Sequence, residues 1–340
     1  MKKGICVAGN LVADITYPVT NWPKEGELTT ITEGITRSVG GAVCNDIVDL
    51  AKLDPSLPLT ALGLIGEDQE GDFILEELGK YENIDSSLLK REGRTSFTAV
   101  MSNNASKART FFHYRGANAR FDESCIDFDR LDCDIFHIGY ILLLDALDAE
   151  DAEYGTKMAR LLRRLKQKGI RTSIDVVSEA GDRFKRLVPP ALRYTDICVI
   201  NEIEAGQVTD TVLRASDGSL RADNMQKALA GLKALGVSTW AVIHCPEGAW
   251  CLDENGEFFS APSLPMPKSD IKGTVGAGDA FCAGILYGSW KGWDLKRALR
   301  LANCTAVAAL SERGATEGLR SLEEVMKFEE VYPYEGGFPL

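Results

Sequence analysis

The sequence predicts an α/β protein in which a mostly parallel central sheet is flanked by helices on both faces and a small second β-sheet projects from it. Three observations predict it. Short apolar runs rich in β-formers recur along the 340 residues. Stretches of helical period separate them. Two segments, 27–41 and 94–116, break the alternation with Thr, Val, Ile and Phe set among polar residues. Strand and helix in alternation imply parallel strands, and sheets of that kind are covered on both faces.

In chain order, the first strand is "GICVAGN" at 4–10. The segment 27–41 follows as strands of the second sheet, then a helix over 42–53, a strand at 59–66 and a helix over 71–81. The segment 94–116 adds two more antiparallel strands joined through the turn-like "SNNAS" at 102–106. Edge strands of the main sheet are the other use open to these two segments. Next come a strand at 134–144 and a helix over 149–168, whose Met158, Leu161, Leu162 and Leu165 share one face above a basic end. Strands at 171–177, 196–201 and 238–245, with a helix over 222–235, complete the alternation. One domain over 1–340 is expected, the projecting strands being inserted at about 14–38 and 94–116.

Composition narrows the function classes. A net charge of −12 argues against nucleic acid and against an anionic membrane surface as partners. No apolar run approaches the length of a membrane span, and "MKKGICVAGN" has no signal-like stretch, so a cytoplasmic protein is expected. Nine cysteines without a C-x-x-C pair read as free thiols of a reducing compartment. Cys245 and Cys251 are the nearest to a metal or redox pair, and His113, His137 and His244 show no zinc-ligand spacing.

The stretch "IKGTVGAGDAFCAG" at 271–284 packs four glycines around a lone acid. A Gly276-Ala277-Gly278 turn before a helix directs backbone N–H groups and the positive end of the helix dipole at one point, which suits an anion. Asp279 then falls in the first turn. A carboxylate there can simply stabilise the helix; it can also take the proton from a hydroxyl that attacks phosphorus.

"GTVGAGDAFCAGILYG" resembles the C-terminal signature of the ribokinase-like (PfkB) carbohydrate kinase family, D-T-x-G-A-G-D-x-F-x-x-G, with Thr274, Gly276, Ala277, Gly278, Asp279, Phe281 and Gly284 in place. "SVGGAVCNDIVDLAKL" at 38–53 is similar to the N-terminal signature, "GNLVADI" at 9–15 to the opening strand with its substrate-binding Asp, and "NEIEAGQVT" at 201–209 to the N-x-x-E element. "GEDQEGDF", "RGANARF" and "ANCTAVAALSERGAT" fall in family order, so the resemblance covers nearly the whole chain.

The resemblance implies a ribokinase-like fold whose small sheet is a lid over the acceptor, and an enzyme that uses ATP and Mg2+, with K+ as a further cofactor. It implies Asp279 as general base, with the amides of Gly276, Ala277 and Gly278 as the anion hole. Asp14, Gly40, Gly41 and Asn45 would hold a small-molecule sugar acceptor. Asn201, Glu204, Thr274 and Asn303 would face the nucleotide, Glu204 organising the magnesium through water. Thr95, Phe97, Phe112, Tyr114 and Arg115 are lid residues placed to face substrate, although aromatics in a short sheet also pack on each other. An exposed lid edge would make a homodimer.

Three departures bear on specificity. Gly273 stands where the signature has Asp, which removes a carboxylate from the approach to the anion hole and weakens a monovalent-cation site built around it. "IHCPEG" at 243–248 places Ile243 and Cys245 where a nucleotide-side T-x-G is common. Gly139-Tyr140 replace the acidic residue of ribokinases, which disfavours ribose. The leading expectation is therefore an ATP-dependent kinase for a primary hydroxyl of a ketohexose or sugar acid. A nucleoside kinase of the same fold and a catalytically silent sugar-binding regulator are the alternatives.

Overall fold

The first strand, β1 (Ile5–Gly9), is buried throughout: Ile5 and Val7 pack into one hydrophobic cluster, Cys6 and Ala8 into another on the opposite side. A strand with no polar face belongs in the middle of a sheet covered on both sides. The structure, a computed structural model, describes residues 3–103, 106, 108–177 and 181–334.

The chain continues through β2 (Val12–Val19), β3 (Thr36–Gly40), α1 (Gly41–Leu53), β4 (Leu59–Ile65), α2 (Gln69–Leu78), β5 (Ile84–Asp85) and β6 (Lys90–Arg91). It then forms β7 (Ser96–Asn103), β8 (Arg109–Tyr114), β9 (Ile135–Ile141), α3 (Asp145–Asp148), β10 (Glu150–Asp151), β11 (Gly155–Thr156) and α4 (Lys157–Gln167). Next are β12 (Arg171–Val176), α5 (Arg183–Leu192), β13 (Ile197–Asn201), α6 (Glu202–Thr209) and α7 (Met225–Leu235). The last strands are β14 (Trp240–Cys245), β15 (Gly248–Leu252) and β16 (Phe258–Pro262), followed by α8 (Ala277–Lys291) and α9 (Leu295–Leu310).

Among the described residues the main sheet has ten strands in the order β16-β15-β14-β13-β12-β9-β1-β4-β5, with β6 also on β4. Its pairs are parallel except β14-β15 and β15-β16. The order reverses at β1, which lies between β9 and β4, so a crevice opens beyond the carboxyl ends of these strands. Helices α1, α8 and α9 cover one face and α4, α5 and α7 the other. Helices α8 and α9 touch closely: a Cβ at Gly284 would lie 2.6 Å from Ala302 Cα, and one at Gly288 2.5 Å from Ala298 Cβ.

The four-stranded second sheet, β3-β2-β7-β8, corrects two expectations. It keeps just Thr36–Gly40 of the segment 27–41 as a strand and draws its other early strand, β2, from the start of the expected 14–38 insertion, two residues after β1. It is also not wholly antiparallel. β2 and β7 pair in parallel over Val12–Val19, and each pairs antiparallel with its own return strand, β3 or β8. Both inner strands run outward from the main domain, so only their hairpin partners run back. Asn104 and Ala105 of the expected 102–106 turn lie outside the described residues.

The helix expected over 149–168 is shorter. Glu150–Asp151 and Gly155–Thr156 form a tight hairpin instead, and α4 starts after Thr156, whose Oγ1 accepts from Ala159 N at 3.1 Å. The break is local: Asp151 Oδ1 accepts from the amides of Glu153 and Tyr154, which competes with helix there. Among the described residues no helix is long and apolar enough to cross a membrane.

Candidate active site

Helix α8 begins where it does because Gly276 sits at φ +79, and a Cβ there would lie 2.4 Å from Ala315 O. No side chain caps α8, whereas Asp68 caps α2 and Asp294 caps α9. The first-turn amides of Ala277 and Gly278 are therefore left for an anion. Asp279, in that first turn, is 8% exposed. Its Oδ2 accepts from Asn45 Nδ2 at 2.7 Å, and both its oxygens lie 3.1 Å from the Tyr140 hydroxyl. Burial pushes its pKa up, against the pull of the Asn45 and Tyr140 hydrogen bonds and the charge of His137.

Asn45 arrives from α1, a second helix opened by glycine and left uncapped. Gly41 has φ +79, and a Cβ there would lie 2.5 Å from Asn10 O. Gly40 makes room for Asp14: a Cβ would lie 2.2 Å from Asp14 Oδ2. Asp14 sits on β2, opposite Ser38 on one side and Thr98 on the other. Burial raises its pKa, and a hydrogen bond from Thr98 opposes the shift. The four residues expected at the acceptor thus form one ridge where the small sheet meets α1.

Tyr140 is the residue that the sequence reading passed over as a site member. It has φ +61, rare for a residue with a side chain, and its amide is fixed by Asp175 Oδ1 at 2.5 Å. That turn brings the ring to Asp279. Burial holds the phenol protonated, its pKa well above the ordinary value. Gly139 before it lets α1 approach, since a Cβ would lie 2.1 Å from Ala42 Cβ. The departure of Gly139-Tyr140 from the ribokinase pattern was the sequence signal for this pair.

Of the residues expected to face the nucleotide, Asn201 and Glu204 form a capping box at the start of α6, at the carboxyl end of β13. Asn201 Oδ1 accepts from Ile203 N and Glu204 N at 2.9 Å, and Glu204 Oε2 accepts from Asn201 N at 3.0 Å. A buried carboxylate held there offers the hard oxygen that magnesium takes through water. Glu202 and Glu247, the latter in "IHCPEG", both pair with Arg214, at 2.7 and 2.6 Å. Arg214 holds Glu247 down to about 2, although burial opposes this.

Cys245, the last residue of β14, is buried, and burial pushes its thiol up to about 12. It does not pair with Cys251: the ladder sets Cys245 opposite Gly248 and Cys251 opposite Val242, and both are free thiols. Thr274 is exposed ahead of α8. Asn303, on α9, is buried with its amide directed at Pro262 O, 3.5 Å away. Gly273 lies against the tail, where a Cβ would be 2.7 Å from Glu312 O; the backbone occupies the place of the missing Asp side chain.

The lid residues divide. Thr95 is a structural latch, with Oγ1 accepting from Gly66 N at 2.7 Å and donating to Asp68 Oδ1 at 2.5 Å. Arg115 reaches Leu142 O and Asp145. Phe97 and Tyr114 pack on each other, centroids 5.3 Å apart, under Arg94, while Phe112 is exposed.

Residues 2–322 match the pfkB family carbohydrate kinase. A 5-dehydro-2-deoxygluconokinase of Shouchella clausii is 24% identical over 329 residues, 94% of each chain. The solved structure of Arabidopsis thaliana ribokinase complexed with ribose and ATP superposes with a TM-score of 0.79 at 21% identity, covering 98% of this chain and 100% of that one. A putative ribokinase II of E. coli in complex with ATP and Mg2+ gives 0.75 at 21% identity, covering 97% and 100%.

Proposed function

The chain belongs to the pfkB family of carbohydrate kinases and is a phosphotransferase acting on a sugar hydroxyl, and from that premise we propose that Asp279 deprotonates a primary hydroxyl of a sugar or sugar acid as it attacks the γ-phosphorus of ATP. The supporting observation is the meeting of two glycine-opened, uncapped helix starts: α8 offers its first-turn amides to the transferring group, and α1 directs Asn45 onto the base. The proton passes to Asp279, the new P–O bond forms to the acceptor, and ADP leaves. Asp14, Gly40, Gly41 and Asn45 bind the acceptor hydroxyls. Thr274 and Asn303 would face the nucleotide, and Asn201 and Glu204 would hold hydrated magnesium, which would supply positive charge beside the phosphates.

A keto sugar or sugar acid is the acceptor class we favour, with Tyr140 occupying the position where ribokinases carry an acid. The Shouchella clausii relative supports the sugar-acid side of that choice. Potassium would have to rely on backbone carbonyls such as Glu312 O and Arg313 O, which crowd Gly273. Nine free thiols suit the cytoplasm. The exposed edge strand β8, with Phe111, Phe112 and Tyr114, would pair two lids into a homodimer.

The test is ADP release with ATP and magnesium over a panel of ketohexoses, aldopentoses, sugar acids and nucleosides, run beside Asp279→Asn. Release stimulated by a sugar or sugar acid only in the parent supports the proposal. Stimulation by nucleosides alone replaces the acceptor class, and equal release by the variant removes Asp279 as base.

A further inference from the structure

Behind Asp279, on the core side, lies a group of polar side chains that phosphoryl transfer does not use. Asp46 and Asp49 stand one turn apart on the buried face of α1, His137 is on β9, and Cys282 is on α8 one turn after Asp279. Asp46, Asp49 and His137 are fully buried, and Cys282 is nearly so. His137 Nε2 lies 3.2 Å from Asp46 Oδ2 and 4.0 Å from Cys282 Sγ. The ligand atoms of Asp46, His137 and Cys282 fall within 4.8 Å of one another, and among the described residues no other three His, Cys, Asp or Glu side chains converge so closely.

The group is poorly satisfied as it stands. Neither oxygen of Asp46 has a hydrogen bond of acceptable geometry, and neither has either oxygen of Asp49. A proton on His137 Nε2 can serve the carboxylate or the sulfur but not both, and a second bare oxygen remains on Asp46. Fully buried carboxylates without donors are strongly unfavourable unless a cation or a proton compensates them.

We propose that Asp46, His137 and Cys282 bind one divalent transition-metal ion of the zinc class in the core behind the active site. The donor set of imidazole, carboxylate and thiolate suits zinc and excludes magnesium and calcium, which take oxygen. Tetrahedral zinc, with bonds of about 2.0 Å to N and O and about 2.3 Å to S, separates its N and O ligands by about 3.3 Å and its N and S ligands by about 3.5 Å. The first spacing is already present, and the second needs the sulfur to close by about half an ångström. His137 Nδ1 is 3.0 Å from Ser173 Oγ, which can accept its proton and leave Nε2 as the ligating nitrogen. The unpartnered second oxygen of Asp46 or a water fills the fourth position.

Binding displaces to solvent the Cys282 thiol proton and the proton that otherwise compensates the buried Asp46 carboxyl. The ion then balances one thiolate and one carboxylate, with no oxidation or reduction. It would tie α1, β9 and α8 together beside the residues that meet at the active site, Asn45 adjoining Asp46 and Asp279 preceding Cys282 by one turn. It takes no part in phosphoryl transfer, so the site stands or falls independently of that assignment.

The test uses the full chain, produced in zinc-depleted medium with cobalt so that the site loads during folding, then dialysed against a chelator with excess magnesium. Expected are about one cobalt per chain by elemental analysis, tetrahedral d–d absorption and a thiolate-to-cobalt charge-transfer band. Cys282→Ala should lose that band and at least tenfold in retained metal, Asp46→Asn should retain at least tenfold less, and Cys251→Ala should resemble the parent. Asp46→Asn keeps side-chain shape, so its circular dichroism controls for misfolding, and Cys251→Ala controls for the other thiols. Cobalt retained at less than about a tenth per chain by the folded parent, or a band that survives Cys282→Ala, overturns the proposal.

Discussion

At the scale of single residues, the proposed chemistry rests on Asp279, and the burial of that carboxylate predicts a pH dependence. A general base must be ionised, so kcat/KM falls as pH drops through its pKa. Burial raises that pKa, and the acid limb should lie above the ordinary Asp value of about 4. The groups facing it are Asn45, Asp46 and Asp49 on α1, His137 and Tyr140 on β9, Asp175 on β12 and Cys282 on its own helix. Tyr140→Phe removes a donor to the carboxylate and should move the limb to still higher pH; an unmoved limb would show that the hydroxyl does not reach the ionised base. Asp279→Asn should cost roughly 10²–10⁴-fold in kcat with acceptor affinity nearly kept, because the amide still hydrogen-bonds but takes no proton. Calorimetric binding beside turnover separates the two effects, and turnover within tenfold of the parent would reject the assignment. The glycine-marked start of α8 singled out Asp279 in the sequence and the family resemblance singled out Asn45, whereas Tyr140 was marked only as a departure from the ribokinase pattern, because its reach to Asp279 depends on a left-handed backbone.

At the scale of elements, the glycines that open α1 do the positioning. Gly40→Ala should leave the helix intact, since Gly40 has extended backbone, but its methyl must displace the Asp14 carboxylate. We expect KM for the acceptor to rise by at least tenfold with kcat less affected, and unchanged KM would take Asp14 out of the acceptor site. Helix α4 offers a stability test away from the site. Thr156→Ala removes its N-cap and should cost about 1 kcal/mol in denaturant unfolding, with catalysis unchanged. The apolar face of α4 was legible from Met158 to Leu165, but its start was not. Asp151 and Thr156 each compete for backbone amides, and the winner at 149–156 is a hairpin held by tertiary packing, a Cβ at Gly155 lying 3.0 Å from Pro190 Cβ.

At the scale of the molecule, the small sheet is an outgrowth of the main one: β2 leaves β1 almost directly, and β7 runs beside it in parallel. Its outer strand β8 is exposed at all six residues, with Phe111 and Phe112 each 59% exposed. Apolar residues on a bare edge favour pairing with a second copy. Light scattering should give a dimer, and Phe112→Glu should shift it to monomer with the fold retained. A monomeric parent at every usable concentration would reject lid pairing.

The sequence by itself determined the layered α/β architecture, the chain order of the main parallel strands, and the family. Those depend on apolar periodicity and on glycine signatures, which are local properties of the chain. Tertiary structure alone decided what meets across the crevice: Tyr140 and Asn45 on Asp279, Arg214 between Glu202 and Glu247, and Asp46 with His137 and Cys282 beneath them. These partners are tens to hundreds of residues apart, up to the 234 positions between Asn45 and Asp279. The stacking of α1, β9 and α8 at the sheet's switch point brings the Asp279 and Asp46 groups together, and the start of α6 meeting the β14-β15 turn brings Arg214 to its two acids; no spacing along the chain encodes either.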